Sequence, residues 1–363
     1  MNKMTHLKFN LNNFLFALSE PLNLIHMPNL HKVPFSSKRV AYMALKIAKL
    51  NMMDDAFISD LLSYSLIAHN QVLKSNLELI PFNDINNVKN EEMTKIISLC
   101  SFVELQLNIE GKFTINKNEV INFIECKDCF DEIYLENLLY LMEYDSFWFD
   151  LSNSSVLPFK ILDMVNDFSF EYEYSKLIPL SKLFYTIYND YTNRIPKTSI
   201  SDKLSLLCEH YNFDEKDSAR MLISAYLSYL GFLYMPQEQL TTNDLKFDKE
   251  IFKAVPYYTN DLLSKIYGFD DIATLSSCFN ENIDGSGYPY KKMGHELSLK
   301  FRLFSIVYRL QALEELRVYR NAYETIEIFE ILKKEAQDGL LDMTLVQDII
   351  NIMDNENKNF QKE

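Results

Sequence analysis

Asn280-Glu281-Asn282-Ile283-Asp284-Gly285-Ser286-Gly287-Tyr288-Pro289 is the stretch from which the fold can be read. The chain has seven glycines, and Gly285, Gly287 and Gly294 fall within ten positions of one another here. Glycine tolerates positive φ, and proline fixes φ and stops a helix. The segment therefore reads as a tight loop closed by Pro289, with Asp284 set for an Asx turn and Gly285 and Gly287 expected at positive φ. A long helix, 297–313, is expected after it, because Leu303, Ile306, Val307, Leu310 and Leu313 recur at helical spacing.

Working outward from the loop, the same period recurs along the chain. A helix is expected from Ser36-Ser37, with Val40, Met43, Ala44, Ile47 and Leu50 on one face, and another over 58–72. Residues 75–90 read as loop, and helical patterns return at 91–107, 118–124 and 132–144. Trp148 is expected to anchor packing between two modules. Helices are also expected at 182–191 and 219–233, with a loop at 194–199 between them. With 363 residues, two domains are the prior, and seven glycines with ten prolines suit long helices better than a turn-rich β fold.

Lysine and arginine total 36 against 51 acids, a net charge of −15. Such a surface repels polyanions, so no nucleic-acid partner and no anionic membrane surface is expected. Five cysteines give no disulfide framework, no apolar run is long enough to span a bilayer, and Met1-Asn2-Lys3 opens no export signal. The expected compartment is the cytoplasm.

The loop resembles the signature of the HD-GYP family, metal-dependent phosphohydrolases that typically cleave cyclic di-GMP. There, His-His-Glu is followed after two residues by Asp-Gly-x-Gly-Tyr-Pro. Glu281, Asp284, Gly285, Gly287, Tyr288 and Pro289 match, whereas Phe279 and Asn280 stand in the places of the two histidines. Upstream, Ala225 to Pro236 resembles the family's Leu-Leu-His-Asp-x-Gly-Lys segment. Gly231 and Pro236 match, with Ser228 and Tyr229 in place of His-Asp and Phe232 in place of the lysine. Val255-Pro256 stands where a His-Pro pair would be. Arg302 matches a family arginine, Tyr308 replaces a usual aspartate, and 317–320 resembles Arg-Pro-Tyr-Arg. The N-terminal half is similar more weakly. Ser36 takes the place of a histidine three residues before Arg39, and in Ala68-His69-Asn70 the histidine matches while Asn70 replaces an aspartate.

The resemblance implies an all-α protein of two tandem HD-superfamily domains, residues 1–165 a degenerate HD-type module and 166–363 a degenerate HD-GYP-like one. Family members hold iron or manganese ions with imidazoles and a bridging carboxylate, which activate water. This chain has six histidines, His6, His26, His31, His69, His210 and His295, and the two beyond residue 170 match no ligand position. The expectation is therefore no catalytic residue, no metal and no cofactor in the second module.

The surviving residues carry two readings each. Glu281 and Asp284 are either remnant ligands or fix the loop. His69 either joins Asp60 or His31 at a metal or is a hydrogen-bonded core residue. Cys126 and Cys129 have the spacing of half a zinc site, with no second pair. Lys291, Lys292, Lys300, Arg302, Arg309, Arg317 and Arg320 are either an anion site, chiefly through Lys291, Arg302, Arg317 and Arg320, or a solvated face with structural ion pairs. Two functions follow. One is a non-catalytic signalling or scaffold protein that binds a protein partner, such as a diguanylate cyclase, or a cyclic dinucleotide without cleaving it. The other is a residual or altered metal-dependent phosphohydrolase with ligands recruited from His69, Glu281, Asp284 and nearby acids.

Overall fold

The computed structural model describes residues 5–25, 36–107, 117–123, 129–194, 199–241, 249–316 and 321–360. The fold is all-α, as expected. Its contacts divide it into two compact units, Phe9–Phe170 and Met1–Lys8 with Glu171–Glu363. The division falls a few residues beyond the sequence boundary at 165. β1 (His6–Phe9) and β2 (Phe170–Glu173) pair as a two-stranded sheet. No helix among the described residues is long and apolar enough to cross a membrane.

The N-terminal unit comprises α1 (Leu11–Ile25), α2 (Ser37–Leu50), α3 (Asp55–Ile67), α4 (Gln71–Lys74), α5 (Ile85–Lys89), α6 (Glu91–Leu107), α7 (Lys117–Phe123), α8 (Glu132–Leu141), α9 (Asp145–Ser152) and α10 (Leu157–Leu162). The C-terminal unit comprises α11 (Tyr174–Thr192), α12 (Ile200–His210), α13 (Glu215–Leu227), α14 (Gln237–Thr241), α15 (Lys249–Leu263), α16 (Asp270–Ser277), α17 (Leu299–Glu314), α18 (Thr325–Gln337) and α19 (Met343–Phe360).

Local chemistry sets the ends of these helices, and it redraws two sequence expectations. The helix expected over 58–72 breaks after Ile67. Asn70 leaves the helix and accepts from Leu73 N–H at 3.0 Å, starting α4 as its N-cap. The helix expected over 219–233 likewise stops at Leu227, and a 3₁₀ turn, Leu230–Tyr234, carries Gly231 against α15. A Cβ on Gly231 would sit 2.1 Å from Val255 O, so only glycine allows this approach. The 75–90 stretch, read as loop, contains a 3₁₀ turn and α5. Trp148 lies inside the N-terminal unit, buried, with its indole N–H donating to Met142 O at 2.9 Å.

The helix ends of the two units repeat in detail. After α2, Asn51 closes the helix, Met52 takes φ 52°, and Met53 N–H reaches back to Ala48 O at 3.1 Å. After α12, Tyr211 closes the helix, Asn212 takes φ 50°, and Phe213 N–H reaches Cys208 O at 2.9 Å. Both are Schellman closures with a left-handed residue. An aspartate then caps the next helix in each unit. Asp54 accepts from Phe57 N–H and Asp214 from Asp217 N–H, both at 2.7 Å, and α3 and α13 each run 13 residues. The two units are thus built on the same helix–turn–helix, ending at Ala68-His69 in one and Ser228-Tyr229 in the other.

Left-handed backbone costs a side-chain-bearing residue more than it costs glycine, and Met52 is 89% exposed, so its side chain packs against little. Met52→Gly is expected to stabilise the protein by about 0.5–1 kcal/mol, and Asn212→Gly by less because asparagine tolerates this region. Denaturant unfolding of the two variants measures both.

Candidate functional site

The Asp284-Gly-Ser-Gly loop is held from within. Glu281 is 2% exposed, and its carboxylate accepts from two backbone N–H groups across the loop, Tyr290 at 2.7 Å and Lys292 at 2.9 Å. Both oxygens serve the chain path. Asp284 makes the expected Asx turn, accepting from Ser286 N–H at 2.9 Å and Ser286 Oγ at 2.7 Å. Those two bonds favour the charged form and hold its carboxyl below the usual range. Asn282 donates to Ser286 Oγ at 2.8 Å, and Tyr288 N–H donates to Asn280 O at 3.1 Å, closing the loop before Pro289.

The two loop glycines are needed for different reasons. Gly285 has φ +79°, as expected. Gly287 does not lie at positive φ, which corrects the sequence reading. A Cβ there would fall 2.3 Å from Asn282 N and 2.5 Å from Glu281 Cα. Close approach of two backbone segments excludes any side chain.

Behind the loop, three of the residues standing in the family's ligand places, Phe279, Tyr308 and Tyr229, converge, and all three are aromatic. Phe279 stacks on Tyr308 with ring centroids 4.0 Å apart. Tyr308 packs on Tyr229 at 5.5 Å, and Tyr229 on Tyr188 at 4.7 Å and Tyr185 at 5.0 Å. Phe232 adds a ring 5.4 Å from Tyr188. Phe279 and Tyr229 are 1% and 2% exposed. Ser228 is fully buried and spends its hydroxyl on Ala225 O at 2.8 Å, and Val255 is buried against Gly231. The rings come from α11, the end of α13, the turn after α16, and α17, so one cluster fastens four elements.

Such a donor set does not fit a centre of two metal ions. Buried phenyl and phenol rings offer no imidazole nitrogen, and burial, reinforced by Glu315 and Tyr308, drives the Tyr229 hydroxyl well above its ordinary pKa and away from phenolate. Burial likewise pushes the nearby Cys278 thiol up to about 11. Among the described residues, no three His, Cys, Asp or Glu side chains gather to hold a metal. The void beside Glu281, bounded by Cys278, Leu297, Arg302 and Asp342, is about 10 Å³, room for about one water.

Polar groups at the cluster's edge are paired among themselves. Buried Lys203 donates to Gln311 Oε1 at 2.8 Å and pairs with Glu314 at 2.7 Å. Gln311 donates to Glu315 at 3.2 Å, and Arg194 donates to the Tyr188 hydroxyl. Sequence reading did not single out Lys203, Gln311 or Glu315. Their signal was weak, polar residues interrupting apolar stripes on α12 and α17.

In the N-terminal unit, His69 bonds Ser101 Oγ through Nε2 at 2.9 Å, and Asp60 accepts from Asn83, Asp84 and Asn87 at 2.8–3.0 Å. The two are thus engaged with different partners. Arg39 donates its Nε to Glu104 at 2.8 and 3.0 Å, and the Ser36 N–H donates to the same carboxylate at 3.1 Å. Ser36, Arg39 and His69 therefore meet one face of α6, where Ser101 and Glu104 stand a turn apart. His31 and Cys126 lie outside the described residues.

The basic candidates separate. Arg302 donates to Leu297 O at 2.9 Å and Asp342 Oδ2 at 3.0 Å, clamping the start of α17 to the start of α19. Arg309 pairs with Glu335 at 2.8 Å, and Lys300 pairs with Asp217. Lys291 is exposed on the loop, in left-handed backbone at φ 56°. Arg317 and Arg320 lie outside the described residues.

Residues 181–345 match the HD domain family, a segment within the C-terminal unit. The chain is 27% identical over 157 residues to 3'3'-cGAMP-specific phosphodiesterase 1 of Vibrio cholerae serotype O1, covering 41% of this chain and 36% of that protein. It is 30% identical over 98 residues to 3'3'-cGAMP-specific phosphodiesterase 3 of the same organism, covering 26% of this chain and 21% of that one. The matched segments thus span well under half of each relative. A solved cyclic GMP-AMP specific phosphodiesterase of V. cholerae superposes with TM-score 0.58 at 13% identity, covering 96% of this chain and 98% of that one. That likeness is one of fold. Residues 181–345 thus resemble an HD domain, and the chain as a whole is similar in fold to the solved phosphodiesterase. The curated relatives are named for cGAMP, where the sequence resemblance pointed to cyclic di-GMP.

Removing the Phe279 ring would empty the stack, so Phe279→Ala is expected to cost about 3–5 kcal/mol. Gly287→Ala must push apart a pair of touching backbone segments and is expected to lower the melting temperature without changing the helical circular dichroism of the folded state. A Gly287→Ala protein as heat-stable as the parent would refute the close-approach account.

Proposed function

We propose that this protein is a non-catalytic member of the HD-GYP kind, which binds a partner protein or a cyclic dinucleotide without hydrolysing it and acts in the cytoplasm. The observation that carries the reading is the stack of Phe279, Tyr308 and Tyr229, three residues in ligand places, packed ring on ring with no ligand nitrogen among them. Phosphodiester hydrolysis by the family's route needs water activated by metal, and imidazoles with carboxylates to hold that metal. Here the two carboxylates that survive from the motif are engaged by the loop, Glu281 by two backbone donors and Asp284 by Ser286. The alternative with recruited ligands draws on His69, Glu281, Asp284 and nearby acids, and each of the three named residues already has an intramolecular partner.

The rigid loop supports the binding half of the proposal. Glu281, the Asx turn and the Arg302 clamp fix an exposed surface with no need of a metal. The N-terminal unit, with its matching turn and its Arg39–Glu104 pair, is proposed as a second, degenerate HD-type module. A diguanylate cyclase is the first protein partner to test.

Purified protein is expected to hold well under one equivalent of iron or manganese by elemental mass spectrometry. It is also expected to leave 3',3'-cGAMP and cyclic di-GMP intact in excess Mn²⁺ or Fe²⁺. A chelator is expected to leave its melting temperature unchanged. Stoichiometric metal together with turnover of either nucleotide would overturn the proposal.

A further inference from the structure

Three helices of the C-terminal unit, α13, α16 and α17, pack on one another, and their first turns enclose a cavity of about 250 Å³. Asp217 and Arg220 line it from α13, Asp271 and Leu275 from α16, and Lys300 and Phe301 from α17. It lies away from the ring stack. Asp217 stands about 15 Å along α13 from the helix end at Leu227, beyond which Tyr229 joins the stack. Sites for drug-sized ligands occupy about 300–1,000 Å³, so this one suits a smaller molecule.

The charges on its wall balance, two cations against two carboxylates. Arg220 pairs through Nη1 with Asp271 Oδ2 at 2.7 Å, and Lys300 pairs with Asp217 Oδ2. Each pair is made through Oδ2, which leaves Oδ1 of each aspartate to accept from a ligand. The cations also have donors to spare, since an ammonium carries three N–H groups and a guanidinium five. Arg220 is already fixed. Its Nε donates to the Tyr174 hydroxyl at 3.2 Å, and its guanidinium lies 5.3 Å from the centre of that ring. Little ordering of this side chain is left for a ligand to impose. At the same place α17 has no acid in its first turn, and the Ser298 side chain does not cap it, so this end of the cavity favours negative charge. Leu275 and Phe301 supply an apolar surface between the charged groups.

A wall of this kind discriminates by sign. A lone anion entering it meets two carboxylates, and a lone cation meets two cations. A molecule that carries both charges is attracted at both ends. We propose that the cavity binds a small zwitterion, an α-amino acid with an apolar side chain. Its carboxylate meets Arg220 and Lys300, its ammonium group meets Asp217 and Asp271, and its side chain lies on Leu275 and Phe301. The site is independent of the ring-filled interior and of any metal.

The test is isothermal titration of the full chain with L-leucine, L-methionine and L-phenylalanine, with glycine, L-leucinamide and N-acetyl-L-leucine as the comparison arms. At least one of the three apolar amino acids is expected to bind one to one. Leucinamide lacks the carboxylate, acetyl-leucine lacks the ammonium group and glycine lacks the side chain, so each is expected to bind tenfold or more weaker than the best of the three. Arg220→Gln and Asp271→Asn are each expected to weaken amino-acid binding tenfold or more. Asp217→Asn with Asp271→Asn leaves only cations on the wall and is expected to shift preference from leucine to acetyl-leucine, which a merely structural role for these aspartates would not do. The Asp271 side chain is 68% exposed, so Asp271→Asn is expected to melt like the parent. No binding of the three amino acids at millimolar concentration overturns the proposal. So does acetyl-leucine or leucinamide binding as tightly as the best of them, or binding indifferent to Asp271→Asn. None of these outcomes bears on the non-catalytic reading, which stands or falls on metal content and nucleotide turnover.

Discussion

The packing of Phe279 on Tyr308, 4.0 Å between ring centroids, is the contact on which the C-terminal unit depends. Through Tyr229, Tyr188, Tyr185 and Phe232 it extends into one buried cluster that joins α11, α13, α17 and the turn after α16. In a fold of this kind a metal centre would draw the same elements together through directional bonds to a few side chains. Ring packing does so through area and dispersion, each aromatic pair adding about 0.5–1.5 kcal/mol beyond the surface it buries. A metal site is polar, open to water and reactive, whereas stacked rings are dry and inert.

The loop beside the cluster is held by separate means. Glu281 gives its two oxygens to two backbone N–H groups, Asp284 turns the chain, and Gly287 lets two backbone segments touch. None of these interactions passes through the rings. The loop therefore takes its shape from its own bonds and not from the ring stack. This explains why the loop presents a fixed outer surface, on which Lys291 and Tyr290 stand exposed.

Two units that share a Schellman closure and an aspartate cap have solved their centres differently. In the C-terminal unit the helix pair ends at Ser228-Tyr229 and feeds a ring stack. In the N-terminal unit it ends at Ala68-His69, and the neighbouring α6 face holds Ser101 and the Arg39–Glu104 pair. A buried ion pair of this kind is costly to desolvate and costly to break. It makes the centre of one unit polar, where that of the other is aromatic.

Residue order alone determined the all-α class and several of the helices, the Asx turn at Asp284, the need for glycine at Gly285, and the shortage of imidazole, because these depend on local φ preferences, on period and on counting. Tertiary structure decided what local rules cannot reach. Gly287 is glycine because the returning backbone of Asn280–Asn282 crowds it, not because of its own φ. Arg302 is a clamp because Asp342, forty residues on, lies within reach. Asn70 breaks a helix that periodicity would have continued, because its side chain caps a new one. Above all, Phe279, Tyr308 and Tyr229 read in sequence as three separate substitutions. Only the fold, by bringing α17 and the ends of α13 and α16 to one point, turns them into a single packed object.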